Sequence, residues 1–229
     1  MINNTQLPNN LQQLFGVTEQ HVTALPGNTA SSLYLQSDVI QAFQRMQQAA
    51  ARAGHDLQIA SAFRSFERQE AIWARKFAAS SQDEAGIATI LHWSALPGTS
   101  RHHWGTDMDI YDATALGEQK LHLVREEYSE GGPCWPLWRW LQDHAAEYGF
   151  YWPYQGRGNG VAAEPWHLSY APLAVKYIEL WRDPNTISEW ALLLQSRKLP
   201  GFPLLLQDLE ALIRRYTLQV EPIPKEAQR

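Results

Sequence analysis

Two short stretches of the 229-residue chain hold the side chains best suited to chemistry. One is Ser100-Arg-His-His-Trp-Gly-Thr-Asp-Met-Asp109; the other, much later, is Glu164-Pro-Trp-His167. They supply two imidazoles, His102 and His167, with Asp109 seven residues after the first and Glu164 three residues before the second. Three nitrogen or oxygen ligands with an acid beside them are the usual composition of a catalytic zinc site that leaves one position open for water. A single His–acid pair is more often a solvated turn, by roughly four to one. Two half-motifs, each at a predicted strand, reverse those odds.

Zinc ligands must sit on rigid backbone, because loose ligands lose affinity to ordering entropy. Residues Thr106–Tyr111 alternate, with Asp107 and Asp109 on one side and Met108 and Ile110 on the other, which predicts a strand. Trp166–Tyr170 predicts another, and the site forms if the two are neighbours in one sheet. His102 then reaches in from the preceding loop, and Gly105 is expected to let the backbone turn clear of the metal. Glu164 is expected beside the open position, placed to take a proton from water. His21, His55, His92, His122 and His144 lack such neighbours and read as structural or exposed, although His92 lies in the loop just before the site.

The remaining signals frame these strands. Residues 1–35 are polar, carry Pro8, Pro26 and Gly27, and read as a loose arm with one short helix around Asn10–Phe15. Val39, Ile40, Phe43, Met46 and Ala50 recur at helical spacing behind a Ser37 or Asp38 cap, and Gly54 ends that helix. Leu57–Phe63 reads as a strand leading into Arg64, after which Ser65 caps a helix striped by Ile72, Trp73 and Phe77. From Ser80 to Ser100 a mobile excursion is expected, with a short helix near Gly86–His92. A strand is expected at His122–Arg125, then a helix from about Pro136 with Leu137, Leu141, Ala145 and Tyr148 inward and Gly149 as its stop. Phe150–Trp152 predicts a strand and Gln155–Gly160 a turn. Helices follow at Leu173–Trp181, from a capping box at Thr186–Glu189, and at Leu204–Tyr216, with a disordered tail from Glu221.

The whole is α+β: a small antiparallel sheet carrying the site, flanked by helices, with a C-terminal helical extension. It divides into an arm (1–35), the core with the site (36–182) and the extension with its tail (183–229), one domain overall. Apolar residues at 45% and charged residues at 19% are an ordinary globular balance in a chain long enough to bury a core. A net charge of −5 without a long run of one sign argues against nucleic acid or anionic membrane as a main partner. The ten Trp residues are expected in part at cleft walls. Cys134 is the only cysteine, which excludes an internal disulfide and a Cys-rich zinc knuckle. Met1–Asn10 shows no basic region followed by an apolar one, and no run reaches the ~18 apolar residues of a membrane span. The chain as written is therefore expected in the cytoplasm; a trimmed start or leaderless export would place it outside. Oligomeric state stays open.

Ser-x-His-x-x-Gly-x-x-x-Asp followed by Glu-x-Trp-His resembles the VanY-type D-alanyl-D-alanine carboxypeptidases, within the wider zinc peptidases that include VanX dipeptidases and lysostaphin-like enzymes. Ser61-Ala-Phe-Arg-Ser-Phe-Glu-Arg-Gln69 is similar to a third family element, Ser-Gly-Tyr-Arg-Ser with Gln five residues after the Arg. The resemblance covers roughly half the chain, with all three elements in family order. It implies His102, Asp109 and His167 as ligands of Zn2+, Glu164 as general base, and Arg64 as the arginine that steadies the oxyanion or the substrate carboxylate. Gln69 and Ser100 match positions that shape the substrate site, and Trp166 a wall of the metal pocket. Ala62 replaces the family's usual Gly. Asp107 replaces its usual Ala, which makes Asp107 either a partner holding His102 or Arg101 or a competing ligand.

The implied reaction is zinc-dependent hydrolysis of a peptide bond in a peptidoglycan stem peptide or muropeptide, with D-alanyl-D-alanine carboxypeptidase activity the expectation. A lysin-like L-Ala-D-Glu endopeptidase and a non-catalytic peptidoglycan-binding domain of the same fold are the alternatives. An exopeptidase also needs a stop for the terminal carboxylate, and Arg64, Arg101 and Arg157 are the candidates.

Overall fold

The computed structural model describes residues 7–27, 33–157 and 160–228. Residues 1–6 and 28–32 of the expected arm, and Gly158 and Asn159 of the expected turn, lie outside them. In chain order, α1 (Asn9–Phe15) precedes a ribbon of β1 (Thr23–Ala24) and β2 (Tyr34–Leu35), then α2 (Ser37–Arg52), β3 (Leu57–Ser61), α3 (Phe66–Ala78) and α4 (Glu84–Trp93). β4 (Asp107–Asp112), α5 (Ala113–Leu116), α6 (Trp135–His144), β5 (Phe150–Tyr151) and β6 (His167–Tyr170) complete the site-bearing part. The chain continues through α7 (Ala171–Trp181), α8 (Pro184–Ser196), α9 (Phe202–Leu205) and α10 (Leu209–Ile213).

Strand alternation and burial give the sheet its place. Its order is β3-β4-β6-β5, every neighbouring pair antiparallel. Leu57, Ile59, Met108, Ile110 and Leu168 join one buried cluster with Val39, Phe43 and Met46 of α2 and Leu137 and Leu141 of α6. A second cluster gathers α1, α3, α4, α7 and α8 around Phe15, Trp73, Trp181 and Trp190. Asp107 and Asp109, alternating with Met108 and Ile110, turn away from the first cluster.

Several expectations change on folding. The short helix of the arm is no loose appendage: Leu11, Leu14 and Phe15 are buried in the second cluster. His122–Arg125 is not a strand, because the Glu127 carboxylate accepts the backbone N–H groups of His122 (2.8 Å) and Val124 (3.2 Å) and a 3-10 turn follows at Arg125–Tyr128. The helix expected from Thr186 starts earlier, since Asp183 caps it by accepting from Asn185 N at 2.9 Å and Pro184 suits its first turn. Leu204–Tyr216 is broken where Asp208 caps a fresh start, and Arg214–Leu218 winds as a π-helical turn. The segment before the site folds as α4, capped by Asp83, with Ile87, Ile90 and Leu91 buried. Nor is the tail disordered. Glu221 N donates to Pro153 O at 3.0 Å, and Ala227 is fully buried beside Tyr151 and Ala171.

Gly105 has φ +66°, and a Cβ there would collide with the Val22 side chain rather than with anything at the site. Gly105→Ala should therefore destabilise the fold by about 1–3 kcal/mol, read as a lower unfolding midpoint in denaturant.

Candidate metal centre and catalytic cavity

Antiparallel register does what sequence spacing alone cannot. Asp109 pairs directly with His167, and Asp107 with Ser169, so all four side chains project from one face of the sheet. His102 stands on the 3-10 turn Arg101–Trp104 that enters β4. A tight turn, with His167 N donating to Glu164 O at 3.0 Å, brings the Glu164 carboxylate to the same place. His102, Asp109 and His167 are buried and each offers an atom within 4.8 Å of the others.

The ring orientations are fixed by what surrounds them. His102 Nδ1 donates to the Ala62 carbonyl at 2.8 Å, so its Nε2 presents a lone pair, 3.5 Å from Asp109 Oδ2. His167 Nε2 donates to Asp107 Oδ1 at 2.9 Å, which leaves Nδ1 facing Asp109 Oδ1 at 3.2 Å. Both of those facing atoms are buried without hydrogen-bond geometry to any partner. Two lone-pair-bearing atoms cannot rest together in a dry interior unless a cation, a proton or a metal ion, lies between them. Burial pushes the His102 imidazole down to about 4, so it is neutral at pH 7 and ready to coordinate. For His167 burial opposes charge, yet the hydrogen bond to Asp107 and the adjacent Asp109 carboxylate prevail and raise it to about 9. The residues fit a divalent cation of the zinc type.

Asp107 is not part of that set. Its Oδ1 accepts from Arg101 Nε at 2.8 Å as well as from His167, and its Oδ2 accepts from Ser169 Oγ at 3.0 Å and Thr106 Oγ1 at 2.5 Å. Burial alone would raise its carboxyl, but the Arg101 charge and the His167 hydrogen bond hold it below the usual range. Asp107 thus grips Arg101, as one reading had it, and His167 rather than His102. Arg101 also donates to Tyr151 Oη at 2.8 Å and Ser169 Oγ at 2.6 Å, with its guanidinium 4.4 Å from the Trp104 ring centre.

The cavity in front of these groups has a volume of about 270 Å³, and Arg64, Ser100, Glu164 and Trp166 line it with the three clustered residues. Glu164 Oε2 lies 3.5 Å from His167 Nδ1, and burial pushes its carboxyl up to about 7. Gln69 stands behind the wall: fully buried, it accepts from Arg64 Nη1 at 2.8 Å and donates to Ala95 O at 2.7 Å. It reaches the cavity through Arg64. His103 is a strut whose Nδ1 donates to Arg64 O at 2.6 Å while its Nε2 accepts from Gly98 N at 3.1 Å. Arg157 is exposed and pairs with Glu221 at 3.7 Å, outside this lining. His92 is likewise outside it, its Nδ1 2.7 Å from Gly160 O.

Trp93, Tyr154 and Tyr216 also line the cavity and had no motif to mark them. The Tyr154 ring stands edge-on to His167 with centroids 4.9 Å apart. Trp93, 53% exposed, fits the general expectation of Trp at a cleft wall; Tyr216 arrives on the π-helical turn, for which the sequence carries no signal.

A family model described as VanY, D-alanyl-D-alanine carboxypeptidase, matches residues 32–173. The chain belongs to the VanY family. It is 41% identical over 100 residues to an uncharacterized protein of Haemophilus influenzae, covering 37% of this chain and 68% of that one. It is 31% identical over 122 residues to a D-alanyl-D-alanine carboxypeptidase of Enterococcus faecalis, covering 49% of this chain and only 39% of the length of that enzyme. Two solved structures share the fold: VanYB in complex with D-alanine-D-alanine, with TM-score 0.52, 23% identity and coverage of 72% and 86% of the two chains, and a VanY D,D-pentapeptidase from a VanB-type resistance cassette in complex with Zn(II), with TM-score 0.51, 22% identity and coverage of 72% and 88%.

Because His167 must lose its proton to bind a metal ion, affinity for Zn2+ should climb as pH rises from 6.5 towards 9. Calorimetry of the metal-free protein in buffers of different ionisation enthalpy should detect about one proton released per ion near neutral pH. Asp107→Ala, which removes the acceptor at His167 Nε2, should weaken binding ~10–100-fold; unchanged affinity would show that Asp107 does not support the centre.

Proposed function

We propose that this protein is a zinc-dependent peptidase that removes the terminal D-alanine from peptidoglycan stem peptides or muropeptides. The observation that carries the reading is the dry approach of His167 Nδ1 and Asp109 Oδ1, with Glu164 3.5 Å away in the same cavity. His102 through Nε2, Asp109, and His167 through Nδ1 would hold the ion. When bound, zinc supplies a Lewis acid that acidifies water and polarises a carbonyl. Membership of the VanY family and the fold shared with a zinc-containing D,D-pentapeptidase support the same choice of metal.

Glu164 acts as the base. A carboxyl lifted to about 7 by burial is a stronger proton acceptor than an exposed one, and a nearby cation keeps it ionised at working pH. It takes a proton from water as the oxygen attacks the scissile carbonyl, and returns it to the amine as the C–N bond breaks. Arg64, braced by Gln69, puts a guanidinium on the same cavity to meet the charge developing on the carbonyl oxygen.

Carboxypeptidase action also needs a cation for the substrate's terminal carboxylate. Of the three arginines considered, Arg157 lies outside the lining, whereas Arg101 lines the cavity and, with Nε and Nη2 held by Asp107, Tyr151 and Ser169, keeps Nη1 without a hydrogen-bond partner. With Arg64 meeting the carbonyl oxygen, Arg101 through Nη1, with Ser100 on the same lining, is the cation left for it.

Glu164→Ala should leave zinc bound, by metal analysis, while hydrolysis falls by ~10²-fold or more; near-normal turnover would remove the base from the scheme. Arg64→Ala should lower kcat/KM by ~10²–10³-fold. Mass analysis of a digested pentapeptide muropeptide should show loss of one D-alanine, whereas internal cleavage would favour the endopeptidase and no cleavage the binding domain.

A further inference from the structure

The catalytic cavity does not end at its own walls. A hollow of about 340 Å³ shares Trp93 and Val161 with it, and a third of about 250 Å³ shares Arg125, Gln155 and Ala163 with the second and Tyr154 with the first. A substrate held by its C-terminal end at the metal must send its other end somewhere, and these hollows adjoin the cavity through shared walls.

We propose that the third hollow binds the sugar ring of a muropeptide whose stem peptide occupies the catalytic cavity, an inference that rests on the function proposed above. Trp135 and Trp138 of α6 stack there with centroids 5.1 Å apart and planes 16° apart. Trp152 forms another side, its ring fixed by an indole N–H donated to Pro165 O at 2.9 Å. The negative face of an indole attracts the polarised C–H bonds of a pyranose ring. A stem peptide of alanine, glutamate and a diamino acid has no flat apolar side chain to put there; its attached sugar does.

Two polar features agree with that occupant. The Trp138 indole N–H is buried without a hydrogen-bond partner, a donor left unsatisfied in the wall of this hollow. Arg125 lines both outer hollows, and among the described residues neither has a carboxylate in its lining. Arg125 therefore suits the carboxylate that a stem peptide carries near its sugar and disfavours the diamino acid's ammonium group.

The test compares a free stem pentapeptide with the same peptide bearing N-acetylmuramic acid. The sugar should lower KM about three- to tenfold with little change in kcat, and Trp138→Ala should abolish that advantage without altering hydrolysis of the free peptide. Arg125→Ala, at an exposed position that does not threaten folding, should weaken both peptides through KM. Binding is read separately by fluorescence titration with N-acetylmuramyl-L-alanyl-D-isoglutamine, which should saturate on the wild type and weaken on Trp138→Ala. Equal KM for both substrates, or no saturable binding of the muramyl probe, overturns the sugar site. Saturable binding lost in Trp138→Ala without any hydrolysis of either peptide would keep the site and overturn the peptidase.

Discussion

Asp107 and Asp109 stand two residues apart on one face of an inner strand, both buried, and two desolvated carboxylates cannot stay charged side by side without close positive partners. The surrounding structure divides that burden. Asp107 receives the guanidinium of Arg101, itself clasped by Tyr151 and Ser169 and laid against Trp104. Asp109 has the two imidazoles, and its Oδ1 is completed only by a cation between it and His167.

His167 links the two carboxylates. Donating through Nε2 to Asp107, it is held in the tautomer that points Nδ1 at Asp109. His102 is treated the same way by a different partner, the Ala62 carbonyl on the segment that follows β3. That segment also carries Arg64, whose backbone is strutted by His103 and whose side chain is braced by Gln69. A few residues around β3 thus fix both a would-be ligand and the cation opposite it. The C-terminal helices contribute less directly: Trp190 donates to Pro97 O at 2.8 Å, securing the loop that precedes Ser100, and Tyr216 closes a cavity wall.

Much of this was legible in the chain because it is local. Alternation in Asp107-Met-Asp-Ile announced a strand, one that folding buries on both faces, and Glu164 three residues before His167 was visible as a spacing that the chain closes into a turn. The start of α6 was readable from Pro136, a residue suited to a first turn, but the helix expected to run on to Gly149 ends at His144, and a 3-10 turn over Ala145–Tyr148 carries the chain to the left-handed glycine. Where local signals competed, the reading failed. Asp183 outcompeted Thr186 as a cap, Glu127 took the N–H groups that a strand at His122–Arg125 would have needed, and Ala227 found a buried niche that no pattern in a proline-bearing tail reveals.

The sequence by itself determined the chemical inventory: two imidazoles, two neighbouring carboxylates, a later glutamate and an arginine after a strand, in an order that defines a family. Only the folded chain decided their division of labour. Whether Asp107 would coordinate or support depended on Arg101 swinging onto it and on β6 arriving in a register that sets Ser169, not His167, directly opposite. Gln69, read as helping to shape the substrate site, stands behind the cavity lining for the same kind of reason: its amide takes Arg64 and Ala95 as partners. Residue type and spacing are encoded along the backbone, whereas the partner each buried polar atom takes is chosen by which strands and loops the whole core brings within hydrogen-bonding distance.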